Sequence, residues 1–197
     1  MKPKWPLALI LFTPLGYLLL NLPRAVDPIK YIYTVSGVSA ICLLIITLLS
    51  SLLRKKIKLI RYRKMLGLFT FFYALLHFLN FVIFGTQFDL ALVVKETYEK
   101  PFVYLGMISF AILLFMSITS TKKGFARFHR WHRLVYIVLI LVVIHASMAQ
   151  KVLSFNEYAY ILMAIILLGF RIPFKKIFQK KSRAWEGEEK CRFFFEF

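Results

Sequence analysis

Acidic residues are scarce in this chain: nine Asp and Glu stand against 27 Lys and Arg, a formal net charge of +18 over 197 residues. Eight lie in the connections around long apolar runs or in the C-terminal tail and the ninth, Glu157, at the start of the last run, which leaves no carboxylate to build a metal centre in the middle of those runs. Cysteine is nearly absent. Cys42 lies within an apolar run and Cys191 in the tail, so the two cannot pair within one chain, and no C-x-x-C-H is present to attach a haem covalently. There is no G-x-G-x-x-G opening a helix after a strand, which excludes a dinucleotide fold within these residues. The first apolar stretch follows Lys2 and Lys4 as a signal peptide would. Pro6 and Pro14 interrupt it, however, and no A-x-A cleavage pattern follows, so it reads as a retained helix.

What the chain has in abundance is apolar sequence. Sixty per cent of residues are hydrophobic and the mean hydropathy is +0.70, far above an ordinary soluble domain. Crossing the hydrocarbon core takes ~20 mostly apolar residues in a helix. Six runs are expected to do so: Trp5 to Leu22, Tyr31 to Leu53, Met65 to Phe84, Pro101 to Thr119, Trp131 to Met148 and Phe155 to Phe170. The expected fold is an all-α integral membrane protein, a single six-helix transmembrane bundle over residues 1–180. Residues 181–197 are expected to form a disordered cytoplasmic tail, since its FFF is too short to span anything.

The positive charge is distributed by side. With six crossings, one face collects Lys2, Lys4, the run RKKIKLIRYRK at 54–64, the five basic residues from Lys122 to Arg133, and eight more from Arg171 onward. The other face carries Arg24, Lys30, Lys95, Lys100 and Lys151, matched by Asp27, Asp89, Glu96, Glu99 and Glu157. The positive-inside rule therefore puts both termini in the cytoplasm. The charge reads as a topology signal and a grip on anionic lipid headgroups, with no nucleic acid as partner.

Only four histidines occur. At 1.5 Å per residue, His77 lies ~18 Å along the third run and His145 ~21 Å along the fifth, both from the cytoplasmic end, so their depths match. His132 lies ~20 Å below His145, and His129 precedes it. Ionisable groups inside a membrane are costly and mark function, although each imidazole alone reads equally as a neutral ring bonded to a neighbouring carbonyl. A shared ligand for His77 and His145 accounts for their common depth. Zinc wants four ligands, with Cys or carboxylate where His is scarce. Haem iron needs two axial ligands, and two histidines facing each other across a bundle supply them, leaving no open position for oxygen.

Arg63 precedes His77 by fourteen residues, which puts it ~40° away around the helix and ~21 Å below. Arg63 and His132 thus mark a candidate inner site, with Arg63 equally able to contact a lipid phosphate or a haem propionate. A separation of thirteen residues turns His132 ~140° from His145 in a regular helix. Unless the helix start is kinked, His129 or no protein group serves the inner site. The rival reading is a proton-coupled transporter or channel lined by these histidines, although no inverted repeat or pair of broken helices supports it.

The segments DPIKYIYTVSG (27–37), RYRKMLGL with LLHF (61–78), KPFVYLGMISF (100–110), ITSTK (118–122), WHRLVY (131–136) and IH (144–145) occur in an order and spacing that resembles the ferric-reductase-like transmembrane family. That family includes the membrane part of NADPH oxidases, and the likeness is greatest to haem-binding subunits of the bacterial system that reduces methionine sulfoxide in periplasmic proteins. The resemblance implies b-type haem, one or two per chain, with His77, His145 and His132 as haem-linked histidines and Arg63 as an unusual inner ligand. It also implies FMN, to which no residue here is assigned. The implied donor is membrane quinol or a cytosolic flavin reductase, and the implied acceptor a periplasmic molybdopterin-dependent methionine sulfoxide reductase. Only ~25 residues follow the sixth run, far fewer than a domain, so oxidation of NAD(P)H by this chain unaided is not expected.

Overall fold

Helix starts in this protein are written by aspartate and proline. Asp27 accepts a hydrogen bond from the Lys30 amide at 3.0 Å, with Pro28 at the first helical position. Asp89 accepts from the amides of Ala91 and Leu92 at 2.8 and 3.2 Å, and Pro101 opens a third helix. Each device satisfies or removes an amide that a helix end leaves without a partner.

The computed structural model describes residues 5–52, 62–121, 124, 127–128, 130–150 and 155–171. Lys2, Lys4, the basic run from Arg54 to Arg61, Lys122, Lys123, His129, Lys151, Cys191, the expected domain edge at residue 180 and the tail lie outside the described residues. Helix α1 spans Trp5–Asn21, α2 Pro28–Leu52, and α3 Arg63–Asn80, prolonged by a π-turn over Phe81–Gly85. Helix α4 spans Leu90–Glu99 and α5 Pro101–Ile118. A 3₁₀ turn over Trp131–Leu134 leads into α6, Val135–Ala149, and α7 spans Phe155–Arg171.

Two expectations change. Among the described residues five helices, not six, are long and apolar enough to cross a membrane. The sixth run forms a helix of 17 residues with Glu157 in its first turn, and its length of ~26 Å falls short of a ~30 Å hydrocarbon core. The connection from Gly85 to Lys100 also contains the ten-residue helix α4. Hydropathy misses it because Lys95, Glu96, Glu99 and Lys100 break the apolar run, yet these same residues pair along the helix surface.

Helix α2 is central, packing most closely on α3 and also touching α1, α6 and α7, while α5 packs on α6. Its buried stripe Ile41, Leu44, Ile45 and Leu48 meets Leu113 of α5, Val135, Val138, Leu139 and Val143 of α6, and Ala164 and Leu167 of α7. These stripes recur at three and four residues, as a helix face must. Outward Ile137, Ile140 and Ile144 of α6 are exposed, the arrangement for contact with lipid tails. Buried hydroxyls have no water to turn to, so Ser39, Thr47, Thr70 and Ser109 each donate to the carbonyl four residues back.

Pro14 leaves α1 one amide short, and α3 repairs the gap. Thr13 donates to the Ile10 carbonyl at 2.6 Å, the group Pro14 cannot serve. The hydroxyl of buried Tyr73 enters the next rung, accepting from the Leu15 amide at 3.2 Å and donating to the Leu11 carbonyl at 2.8 Å. Tyr73→Phe is expected to leave that rung open and to lower stability by about 1–2 kcal/mol. The check is the thermal unfolding midpoint in mild detergent, and an unchanged midpoint would contradict the bridge.

Candidate functional site

His77 sits near the end of α3 and His145 near the end of α6, and the fold brings their rings together with crossed planes. Their ring centroids are 6.2 Å apart and their planes cross at 86°. Both rings make their hydrogen bonds through Nδ1. His77 Nδ1 lies 3.1 Å from the Tyr33 carbonyl of α2 and 3.4 Å from Ser36 Oγ, and His145 Nδ1 lies 2.6 Å from the Phe102 carbonyl of α5. A carbonyl only accepts, so Nδ1 carries the proton in both rings. In a neutral imidazole that leaves the lone pair on Nε2, the state in which histidine binds a metal while its other nitrogen is held. The bland reading of each histidine and the ligand reading are therefore compatible, because they use different nitrogens.

The donor set can be tested for fit to haem iron. Among the described residues no three His, Cys, Asp or Glu side chains converge, so this place offers two imidazoles. The two rings stand 6.2 Å apart between centroids, and each keeps Nε2 for iron once its Nδ1 proton is bound to a carbonyl. An aromatic ring flanks each imidazole. Tyr33 meets His77 at 5.4 Å and Phe102 meets His145 at 6.1 Å between centroids, while Phe110 of α5 stacks on Phe71 and Phe78 of α3. The residues present fit a bis-imidazole haem.

Arg63 and His132 gather at the opposite ends of the same helices. His132 occupies the 3₁₀ turn that precedes α6, close enough to Arg63 for the guanidinium charge to act on its ring. Its Nε2 lies 3.3 Å from Thr119 Oγ1 at the end of α5. Thr119 Oγ1 also donates to the Phe115 carbonyl at 2.8 Å. His132 therefore differs from the outer pair, spending Nε2 on the protein. The 3₁₀ turn advances ~120° per residue, which brings the rotation between His132 and His145 from ~140° to ~80°. The helix start is thus irregular, and the two histidines stay ~80° apart around the axis. His129 lies outside the described residues.

Tyr33, Phe102 and Thr119 are the partners that reading the sequence misses. Two of them act through backbone carbonyls, which carry no residue signature.

Comparison with known proteins bears on this arrangement. Residues 36–143 match the family described as ferric reductase like transmembrane component. The chain is 38% identical over 185 residues to the protein-methionine-sulfoxide reductase heme-binding subunit MsrQ of Pectobacterium carotovorum, covering 88% of this chain and 89% of that one. The protein of the same name from Pectobacterium atrosepticum is 37% identical with the same coverage. That from Agrobacterium fabrum is 33% identical over 152 residues, 74% of this chain and 71% of its own. No solved structure matches. The family match and the five long apolar helices make this a multi-pass protein of the inner membrane.

Proposed function

The chain belongs to the ferric reductase like transmembrane family, and from that premise we propose that it is a membrane b-type cytochrome. In this reading it carries electrons from quinol or a cytosolic flavin reductase to a periplasmic molybdopterin-dependent methionine sulfoxide reductase. The observation that carries the proposal is the His77–His145 pair, two imidazoles 6.2 Å apart with both Nδ1 protons bound to carbonyls.

Nε2 of His77 and Nε2 of His145 would hold the haem iron, and the haem would supply a one-electron couple. The chain's residues do the rest. The Tyr33 and Phe102 carbonyls hold the rings in the ligating tautomer, and the aromatic rings of the same two residues flank the imidazoles. His132 and Arg63 serve an inner electron-entry site, which makes a second haem or an FMN near the basic face part of the proposal. The basic residues Arg63, Lys64, Arg130 and Arg133 cluster at this end of the helices, which puts the entry side in the cytoplasm by the positive-inside rule and His77 and His145 near the outer face. A basic cytoplasmic surface favours an anionic donor such as a flavin phosphate.

The test is reconstitution in vesicles. Haem in the protein is reduced in advance, a relative's partner reductase and an oxidised-methionine protein are added outside, and haem reoxidation is followed. Rapid reoxidation that depends on both additions supports the assignment. A partner that works with artificial donors but leaves the haem reduced sinks the acceptor.

The inner site is tested separately. His132→Ala is expected to slow reduction from the cytoplasmic side by about 10-fold or more, while leaving the outer haem spectrum in place. Unchanged reduction in that variant, with loss in His129→Ala, would move the site to His129.

A further inference from the structure

The same small device occurs twice around the histidine pair, on two different helices. His77 bonds to the carbonyl of Tyr33, and four residues further along α2 stands Gly37; His145 bonds to the carbonyl of Phe102, and four residues further along α5 stands Gly106. In an α-helix the carbonyl of residue i accepts from the amide of residue i+4. The Cβ of that later residue leans toward the helix N-terminus and so over the same carbonyl. A second donor approaching from the side needs that position empty.

Distances support this. A Cβ on Gly37 would lie 3.2 Å from both Cε1 and Nδ1 of His77. On Gly106 it would lie 2.9 Å from Cε1 of His145, closer than real Cβ atoms come, and 3.0 Å from its Nδ1, so the ring would have to shift. The helical glycines Gly16, Gly67 and Gly169 have nothing within 4 Å of such a Cβ. An aromatic ring completes each device, because the residue that lends its carbonyl also flanks the imidazole: Tyr33 for His77 and Phe102 for His145.

We propose that Gly37 and Gly106 are paired positioning residues: each opens a helix carbonyl to one imidazole and thereby fixes that ring's tautomer and plane. The inference rests on the haem reading above for its consequence. A ligand whose Nδ1 proton is held by a carbonyl is the more basic donor and favours the oxidised iron, so opening the clamp raises the reduction potential. Fixing two planes at 86° gives the oxidised low-spin iron an EPR spectrum dominated by one very large g value, the pattern of perpendicular imidazoles.

The experiment compares purified wild type with Gly106→Ala, Gly37→Ala and the control Gly67→Ala, by redox titration and EPR. Gly106→Ala is expected to retain haem, shift the midpoint potential positive and change the g values. Gly37→Ala, with its looser contact, shifts both less, and Gly67→Ala shifts neither. Wild-type potential and g values in both Gly106→Ala and Gly37→Ala overturn the proposal. A second readout is independent of haem and of the folding of any one variant. Nitrogen NMR of histidine-labelled haem-free protein reports the tautomer of each ring, with Nδ1–H expected for both in wild type and lost at the affected ring in each glycine variant. Unaltered tautomers in the variants refute the clamp even if no haem is bound, whereas altered tautomers in a protein that binds no haem uphold the clamp and refute the haem reading.

Discussion

His77→Ala and His145→Ala are each expected to abolish the six-coordinate low-spin haem spectrum of the purified protein. The two rings come from helices that both pack on α2 and α5, and they meet 6.2 Å apart between centroids, with no third His, Cys, Asp or Glu converging on them among the described residues. Nothing nearby replaces a deleted ligand. Each surviving imidazole keeps its own carbonyl, so the remaining site offers one axial nitrogen and any haem retained becomes five-coordinate and high-spin. Affinity for haem should fall by more than the roughly 10–100-fold that follows loss of an outer partner of a ligand. Pyridine haemochrome assay and the reduced-minus-oxidised spectrum measure both effects. Full haem content with an unaltered spectrum in both variants would show that the pair is a structural contact.

The second large effect is on electron flow. With reductant inside vesicles and the partner reductase outside, His145→Ala is expected to lower transfer at least ~100-fold. His132→Ala costs less, because a reductant can still reach the outer haem slowly. The ordering carries the meaning: the outer pair is indispensable for exit and the inner histidine assists entry. Comparable losses in both variants would contradict a division into entry and exit sites. The rival transporter reading predicts proton-linked flux without electron transfer, and visible absorption by the purified wild type separates the two.

The membrane class and the pairing of His77 with His145 were legible in the sequence for one reason. Long apolar runs fix the depth of every residue along a helix, and depth alone made the two imidazoles candidates for contact. Rotation around the helices was not legible. Helix α6 is apolar on all sides, so nothing in its sequence says that Val135, Val138, Leu139 and Val143 face inward while Ile137, Ile140 and Ile144 face out. The 3₁₀ turn at Trp131–Leu134 changes where His132 points, and local backbone irregularity leaves no hydropathy signal. Helix α4 was hidden because its polar pairs interrupt the apolar pattern. The carbonyls of Tyr33 and Phe102 were hidden because every residue has one. Gly37 and Gly106 lay within the quoted segments YTVSG and FVYLG. Their role emerges only when the histidine rings are seen against them.

The central claim is that His77 and His145 bind one b-type haem iron with crossed ring planes. Low-temperature EPR of the oxidised wild-type protein, purified in mild detergent with its haem content measured on the same sample, tests it most directly. The account predicts a low-spin signal with one very large g value, matching ring planes at 86°, and its disappearance in either alanine variant. A protein that binds no haem, or one whose haem is high-spin with an open axial position, would contradict it.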